Sequence, residues 1–80
     1  MKYRTKSRTV DAIQYKGLNI VDLEGFIGKK KLSFDGGLWL DTAQGYIPIL
    51  TNDWIVRDED GDLKVVEEHR FPHAFEPVNE

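Results

Sequence analysis

Residues 32–66 read Leu32-Ser33-Phe34, Asp35-Gly36-Gly37, Leu38-Trp39-Leu40, Asp41, Thr42-Ala43-Gln44-Gly45, Tyr46-Ile47-Pro48-Ile49-Leu50, Thr51-Asn52-Asp53, Trp54-Ile55-Val56, Arg57-Asp58, Glu59-Asp60-Gly61-Asp62 and Leu63-Lys64-Val65-Val66. Short apolar runs alternate here with residues that favour turns. Strands of three to six residues joined by such turns are typical of an antiparallel meander. This stretch therefore predicts the architecture, although it contains no reaction chemistry.

Side-chain alternation within these runs predicts which residues share a face of the sheet. Leu32 and Phe34 should pair with Leu38 and Leu40 across a turn at Asp35-Gly36 or Gly36-Gly37, because such dipeptides suit two-residue hairpin turns. Ile47 and Ile49 should continue that face. Pro48 predicts an edge strand or a bulge, since proline has no N–H to donate to a neighbouring strand.

The first half of the chain predicts extended structure and then one helix. Residues 2–8 alternate in the manner of a strand, and residues 10–15 continue the strand with mixed alternation until Gly17 ends it. Asn19 is a suitable N-cap and Gly28 a suitable left-handed stop, with an apolar stripe between them. The fold class predicted is α+β: an N-terminal strand, one short helix (about 19–27), then a curled antiparallel meander of four or five strands.

The C-terminal segment contains two prolines and two phenylalanines between residues 71 and 78. Pro72 at the start of this segment favours a turn or a single helical turn at 72–74. Phe75 should then anchor a short final strand.

The composition indicates one soluble domain, residues 1–80. There is no cysteine for a disulfide or a thiolate, which fits a reducing cytoplasm. The basic start lacks an apolar stretch behind it, so it does not resemble a secretory signal, and no run is long enough to span a membrane. We therefore expect no membrane association and a location in the cytoplasm.

Charge is distributed unevenly along the chain. Residues 1–16 hold five cations against one acid, whereas residues 51–80 hold nine acids against three cations. Opposite charges at the two ends predict that the basic first segment lies beside the acidic tail in one sheet. Pairing between neighbouring molecules is the alternative.

No motif indicates an enzyme, a cofactor or a metal. Aligning Gly61 with the glycine of a calcium-binding loop puts Val56 where a carboxylate is required, so an acidic hairpin tip is the favoured interpretation of residues 58–62. His69 and His73 are spaced like zinc ligands on a helix, but Pro72 interrupts that helix. The two serines do not lie in a nucleophile elbow.

Two groups of residues are candidates for binding. Alternation along residues 2–8 places the cations on one face of an extended segment, with Tyr3 beside them. Nucleic-acid binding by this face is not expected, because the pI is about 5.3. Aromatic residues in the meander form the second group. The complete candidate set is Lys2, Arg4, Lys6, Arg8, Tyr3, Trp39 and Tyr46.

Several blocks of the chain resemble a family of small, uncharacterised proteins encoded by tailed phages and prophages. The blocks are Met1-Lys2-Tyr3-Arg4, Val10-Asp11-Ala12-Ile13-Gln14-Tyr15, Asn19 with Phe26-Ile27-Gly28, Asn52-Asp53-Trp54-Ile55-Val56-Arg57, and Pro72-His73-Ala74-Phe75-Glu76. Asn52 stands where the family usually has glycine, His73 where it has aspartate, and Pro77 is added. The resemblance implies a phage-derived protein in a bacterial host, and it transfers no catalytic residue.

Two functional hypotheses follow, and a third is retained for completeness. The first is a non-catalytic binding module, monomeric or a small homo-oligomer, that acts on a host protein in takeover or anti-defence. The second is a protein that sequesters an anionic, nucleotide-like small molecule with the basic face and aromatics such as Tyr3, Trp39 or Tyr46 at a subunit interface. The third is a small enzyme.

Overall fold

A computed structural model describes residues 2–4 and 9–77 of the chain. Their strands are β1 (Lys2–Arg4), β2 (Thr9–Gln14), β3 (Leu32–Phe34), β4 (Leu38–Thr42), β5 (Gly45–Ile49), β6 (Trp54–Arg57), β7 (Leu63–Val66) and β8 (Glu76–Pro77). The helices are α1 (Ile20–Ile27), a 3₁₀ turn (Lys29–Lys31) and the single turn α2 (Phe71–Ala74).

The strands form two antiparallel sheets. One has five strands in the order β7-β6-β2-β1-β8, and the other has three in the order β3-β4-β5. This arrangement confirms the α+β class but corrects the expectation of one continuous meander. After β5 the chain leaves the small sheet, and β6 pairs with β2, with Trp54 opposite Gln14. The N-terminal segment likewise forms two paired strands, β1 and β2, where one strand was expected.

The local pairings within the meander agree with the sequence pattern. Leu32 lies opposite Leu40, and Ile47 continues the same row on β5. Pro48 lies on β5, an edge strand of the small sheet. The β6–β7 hairpin closes around a turn in which Gly61 has a φ of 88°.

Two hydrophobic cores lie on opposite faces of the five-stranded sheet. The first packs α1 and the inner face of the small sheet against β6, and its buried residues are Leu23, Ile27, Leu32, Leu38, Leu40, Ile49 and Ile55. The second consists of Val10, Ala12, Val56 and Phe71. Ile55 and Val56 are consecutive in β6, so their side chains point to opposite faces and one reaches each core.

The helix α1 begins at Ile20 with Asn19 at the N-cap position, as the pattern predicts, but the cap differs from the expected one. Asn19 makes no side-chain cap to α1. Its Oδ1 accepts the backbone N–H of Lys16 (2.7 Å) and its Nδ2 donates to the carbonyl of Gln14 (2.8 Å). Asn19 therefore closes the loop that precedes the helix. Gly28 ends α1 with a φ of 98°, and its N–H donates to Glu24 O (2.8 Å).

The first and the last described strands are neighbours in the five-stranded sheet. β1 pairs with β8, and Arg4 lies opposite Glu76 in the register. The described part of the basic first segment, β1, thus lies beside the acidic tail, as the charge distribution predicts. The helical turn and the short strand expected at the C-terminus are present as α2 and β8.

Across residues 2–4 and 9–77, no helix has the length and apolar character needed to cross a bilayer.

Candidate binding surfaces

The outer face of the small sheet holds two of the aromatic residues singled out from the sequence. Inward-facing residues of β4 alternate with outward-facing ones, which puts Trp39 on the side away from the core. Trp39, Tyr46, Ser33 and Asp35 line a depression of about 270 Å³. We call these four residues the aromatic–acidic face.

The indole of Trp39 is held in place by its own hairpin. Its Nε1–H donates to the carbonyl of Asp35 at 2.9 Å, across the turn that joins β3 to β4. Because the polar atom of the indole is satisfied within the chain, the remaining contact that Trp39 offers is its ring surface. Tyr46, from β5, is 64% exposed beside it.

The charge of this face is negative. Residues 32–56 contain no lysine or arginine, and their acids are Asp35, Asp41 and Asp53. Asp35 lines the depression, and Asp41 lies opposite Tyr46 in the β4–β5 register. Lys31 borders a neighbouring depression together with Asp41. Aromatic rings beside a carboxylate favour a cationic group over an anionic one.

Among the described residues, the basic candidates expected to share a site with these aromatics lie elsewhere. Lys2, Tyr3 and Arg4 belong to β1, between β2 and β8 of the five-stranded sheet. The aromatic–acidic face is on the far side of the other sheet, beyond the first core. Lys6 and Arg8 lie outside the described residues. A site that joins both groups at a subunit interface stays a prediction.

A second concave surface runs between the edge strand β7 and the helical turn α2. We call it the C-terminal groove; its volume is about 730 Å³. Val65 and Val66 form its strand side, while Arg70, His73 and Phe75 come from the C-terminal segment. The spacing of its two histidines, His69 and His73, had suggested zinc ligands and no other role. Their clustering with Arg70 next to an aromatic residue was the signal that could have indicated a groove.

The acidic hairpin tip is ordered by its own backbone. Asp58 Oδ1 accepts the N–H groups of Asp60 and Asp62, both at 3.0 Å. The carboxylates of these three residues lie within 4.8 Å of one another and are the one such cluster of potential metal ligands among the described residues. The turn accounts for the position of Asp58, and two of the three residues are exposed.

Asp53 is the buried charged side chain in the described part of the chain. Its Oδ2 accepts the N–H of Leu50 at 3.0 Å, and its own N–H donates to Leu50 O at 3.0 Å. This carboxylate therefore closes the turn that sends the chain from the small sheet into the large one. Its role is structural.

Comparison with known proteins adds no relative. No protein-family model matches the chain, and neither the curated proteins nor the solved structures contain a match.

Proposed function

We propose that this protein is a non-catalytic binding module that docks on a protein partner through the aromatic–acidic face. The observation that carries the proposal is the position of Trp39 and Tyr46. Both project from the outer side of the small sheet and line one depression, although the core is built by other residues of the same strands.

Large aromatic side chains on a surface suit protein recognition. Trp and Tyr are over-represented among the residues that dominate binding energies, because they bury a large area with few rotatable bonds. The hydrogen bond from Trp39 to Asp35 O orders the indole before any partner binds. A preordered ring loses less conformational entropy on binding than a mobile one.

The chemistry of the face specifies what the partner presents. Asp35 lines the same depression as the two rings and carries the negative charge there, and no lysine or arginine occurs in residues 32–56. An arginine or lysine side chain can lie over an aromatic ring and meet a carboxylate at the same time. The partner is therefore a protein segment that inserts a cationic side chain between Trp39 and Tyr46. In a phage-derived protein, as the resemblance implies, the partner belongs to the bacterial host cytoplasm.

The experiment is selection of peptides from a random display library on the wild-type protein, followed by binding measurements with the selected peptides. Binding is monitored by the indole N–H resonance of Trp39, assigned with the Trp39→Phe variant. We expect selected peptides to contain arginine or lysine, and their affinity to fall at least tenfold for Tyr46→Ser. Replacing the peptide cation with glutamine should have a similar effect.

The matched control is Leu50→Ser, which removes another exposed apolar side chain (66% exposed) outside the depression. It should bind as the wild type does. Selected peptides that lack cations, or that bind Tyr46→Ser and wild type equally, would contradict the proposal. Unfolding curves establish that Tyr46→Ser is folded.

A further inference from the structure

The C-terminal groove is built on a firmly held segment. Phe71 of α2 stacks on Trp54 of β6, and Phe75 stacks on Phe71 with ring centroids 5.0 Å apart. These contacts fix α2 against the second core, so the residues that follow and precede Phe71 have defined positions. Arg70 and His73 flank Phe71 in sequence, and both line the groove.

The size of the groove is that of a small-molecule site. Its volume of about 730 Å³ falls within the range of roughly 300–1,000 Å³ found for ligand pockets. Val65, Val66 and Ala74 contribute apolar surface, and Phe75, which is half-buried, contributes an aromatic ring. This lining suits the apolar body of an organic molecule.

The polar side of the groove carries mainly basic groups. Arg70 forms no salt bridge with a described residue, so its guanidinium retains its hydrogen-bonding capacity for a ligand. His73 is a second basic group. The remaining pair is His69 and Glu67, whose Nε2 and Oε2 atoms are 3.4 Å apart. Among the described residues, Glu67 is the one acid that lines the groove, and its carboxylate is thus directed towards a histidine.

We infer that the C-terminal groove binds a small organic anion, with the anionic group on Arg70 and His73 and the apolar body against Val66 and Phe75. A planar guanidinium binds carboxylate and phosphate oxygens through paired hydrogen bonds, so either anionic group satisfies the chemistry. This site is independent of the aromatic–acidic face, which lies on the other sheet and has the opposite charge.

The test is an NMR titration of the full chain with four probes: phenyl phosphate, benzoate, inorganic phosphate and benzyl alcohol. We expect saturable shifts of the Ala74 methyl and the Arg70 side-chain resonances with phenyl phosphate, benzoate or both, and the comparison of these two identifies the preferred anionic group. Inorganic phosphate should bind at least tenfold more weakly, because it lacks the apolar body. Benzyl alcohol, which lacks the charge, should not saturate.

Arg70→Gln should weaken binding of the better probe about tenfold or more, since a charge-assisted hydrogen bond is lost. Lys64→Gln is the matched control: it removes a cation from β7 that does not line the groove, and it should leave the affinity unchanged. His73→Gln provides a second variant. Equal loss in Arg70→Gln and Lys64→Gln, or no saturable shift with either aromatic anion, would overturn the inference.

Discussion

Trp54 and Phe71 stack face to face, with ring centroids 3.9 Å apart and ring planes inclined by 4°. The two residues come from β6 and from the helical turn near the C-terminus. Their contact closes the second core, in which Phe71 is 3% exposed. It also positions the residues that form the C-terminal groove, so stability and the proposed anion site depend on the same stack.

Phe71→Ala should lower the free energy of unfolding by about 3–5 kcal/mol, because the transfer and cavity costs of a buried phenylalanine add together. A domain of this size has a free energy of unfolding on the order of 5 kcal/mol. A measurable fraction of the Phe71→Ala molecules should therefore be unfolded even without denaturant. Urea denaturation measures the change. Phe34→Ala is the matched control: Phe34 is 62% exposed, and its loss should cost less than about 1 kcal/mol. Equal costs for the two variants would show that the stack contributes nothing.

Asn52 is the one non-glycine residue with positive φ in the described part of the chain, at 76°. Glycine adopts this conformation freely and asparagine tolerates it, whereas alanine is strained there by about 1 kcal/mol. Asn52→Gly should therefore change the unfolding free energy by less than about 0.5 kcal/mol, and Asn52→Ala should reduce it by about 1 kcal/mol. Thermal denaturation compares the pair. A more stable Asn52→Ala would be incompatible with a positive φ at residue 52.

Asp53→Ala should destabilise the protein by about 1–3 kcal/mol, because the N–H of Leu50 loses its carboxylate acceptor at the turn between the sheets. Asp53→Asn keeps an oxygen acceptor and should lose less. Asp60→Ala, an exposed acid at the hairpin tip, serves as the control and should change stability by less than about 0.5 kcal/mol. The prediction fails if the alanine variants of Asp53 and Asp60 unfold at the same denaturant concentration.

Arg57 links the end of α1 to the five-stranded sheet. Its Nη1 donates to Phe26 O at 2.8 Å, and its guanidinium carbon lies 4.4 Å from the centre of the Phe26 ring. Arg57→Lys should cost about 1–2 kcal/mol, since lysine keeps the charge but loses the planar geometry. Chemical denaturation monitored by circular dichroism measures this cost.

The ion pair between Arg57 and Asp11 should contribute little. Its N–O distance is 3.6 Å, and the two side chains are 38% and 43% exposed, so water screens the pair. Asp11→Asn should accordingly change stability by less than about 0.5 kcal/mol. A larger loss in Asp11→Asn than in Arg57→Lys would assign the role of Arg57 to the ion pair and not to the helix contact.

The aromatic residues of one candidate site could be predicted from the sequence, whereas the other site could not. Trp39 and Tyr46 were identified from the sequence, and the structure brings them together. Their acidic surroundings depend on the turn that places Asp35 beside Trp39. The C-terminal groove was not foreseen, because its two walls, β7 and α2, acquire their relative position through the stacking of Phe71 on a residue from β6.

The sequence by itself determined the β3–β4 and β6–β7 hairpins and the face that Leu32, Leu40 and Ile47 share, because turn residues and side-chain alternation act over a few neighbouring residues. Tertiary structure decided that β6 leaves the meander and pairs with β2, which divides the strands between two sheets. It also decided which sheet faces remain open and which charges meet there. Those outcomes depend on burial of side chains distant in the sequence, such as Leu40 and Ile55 in one core, and local patterns do not encode which distant partners will meet.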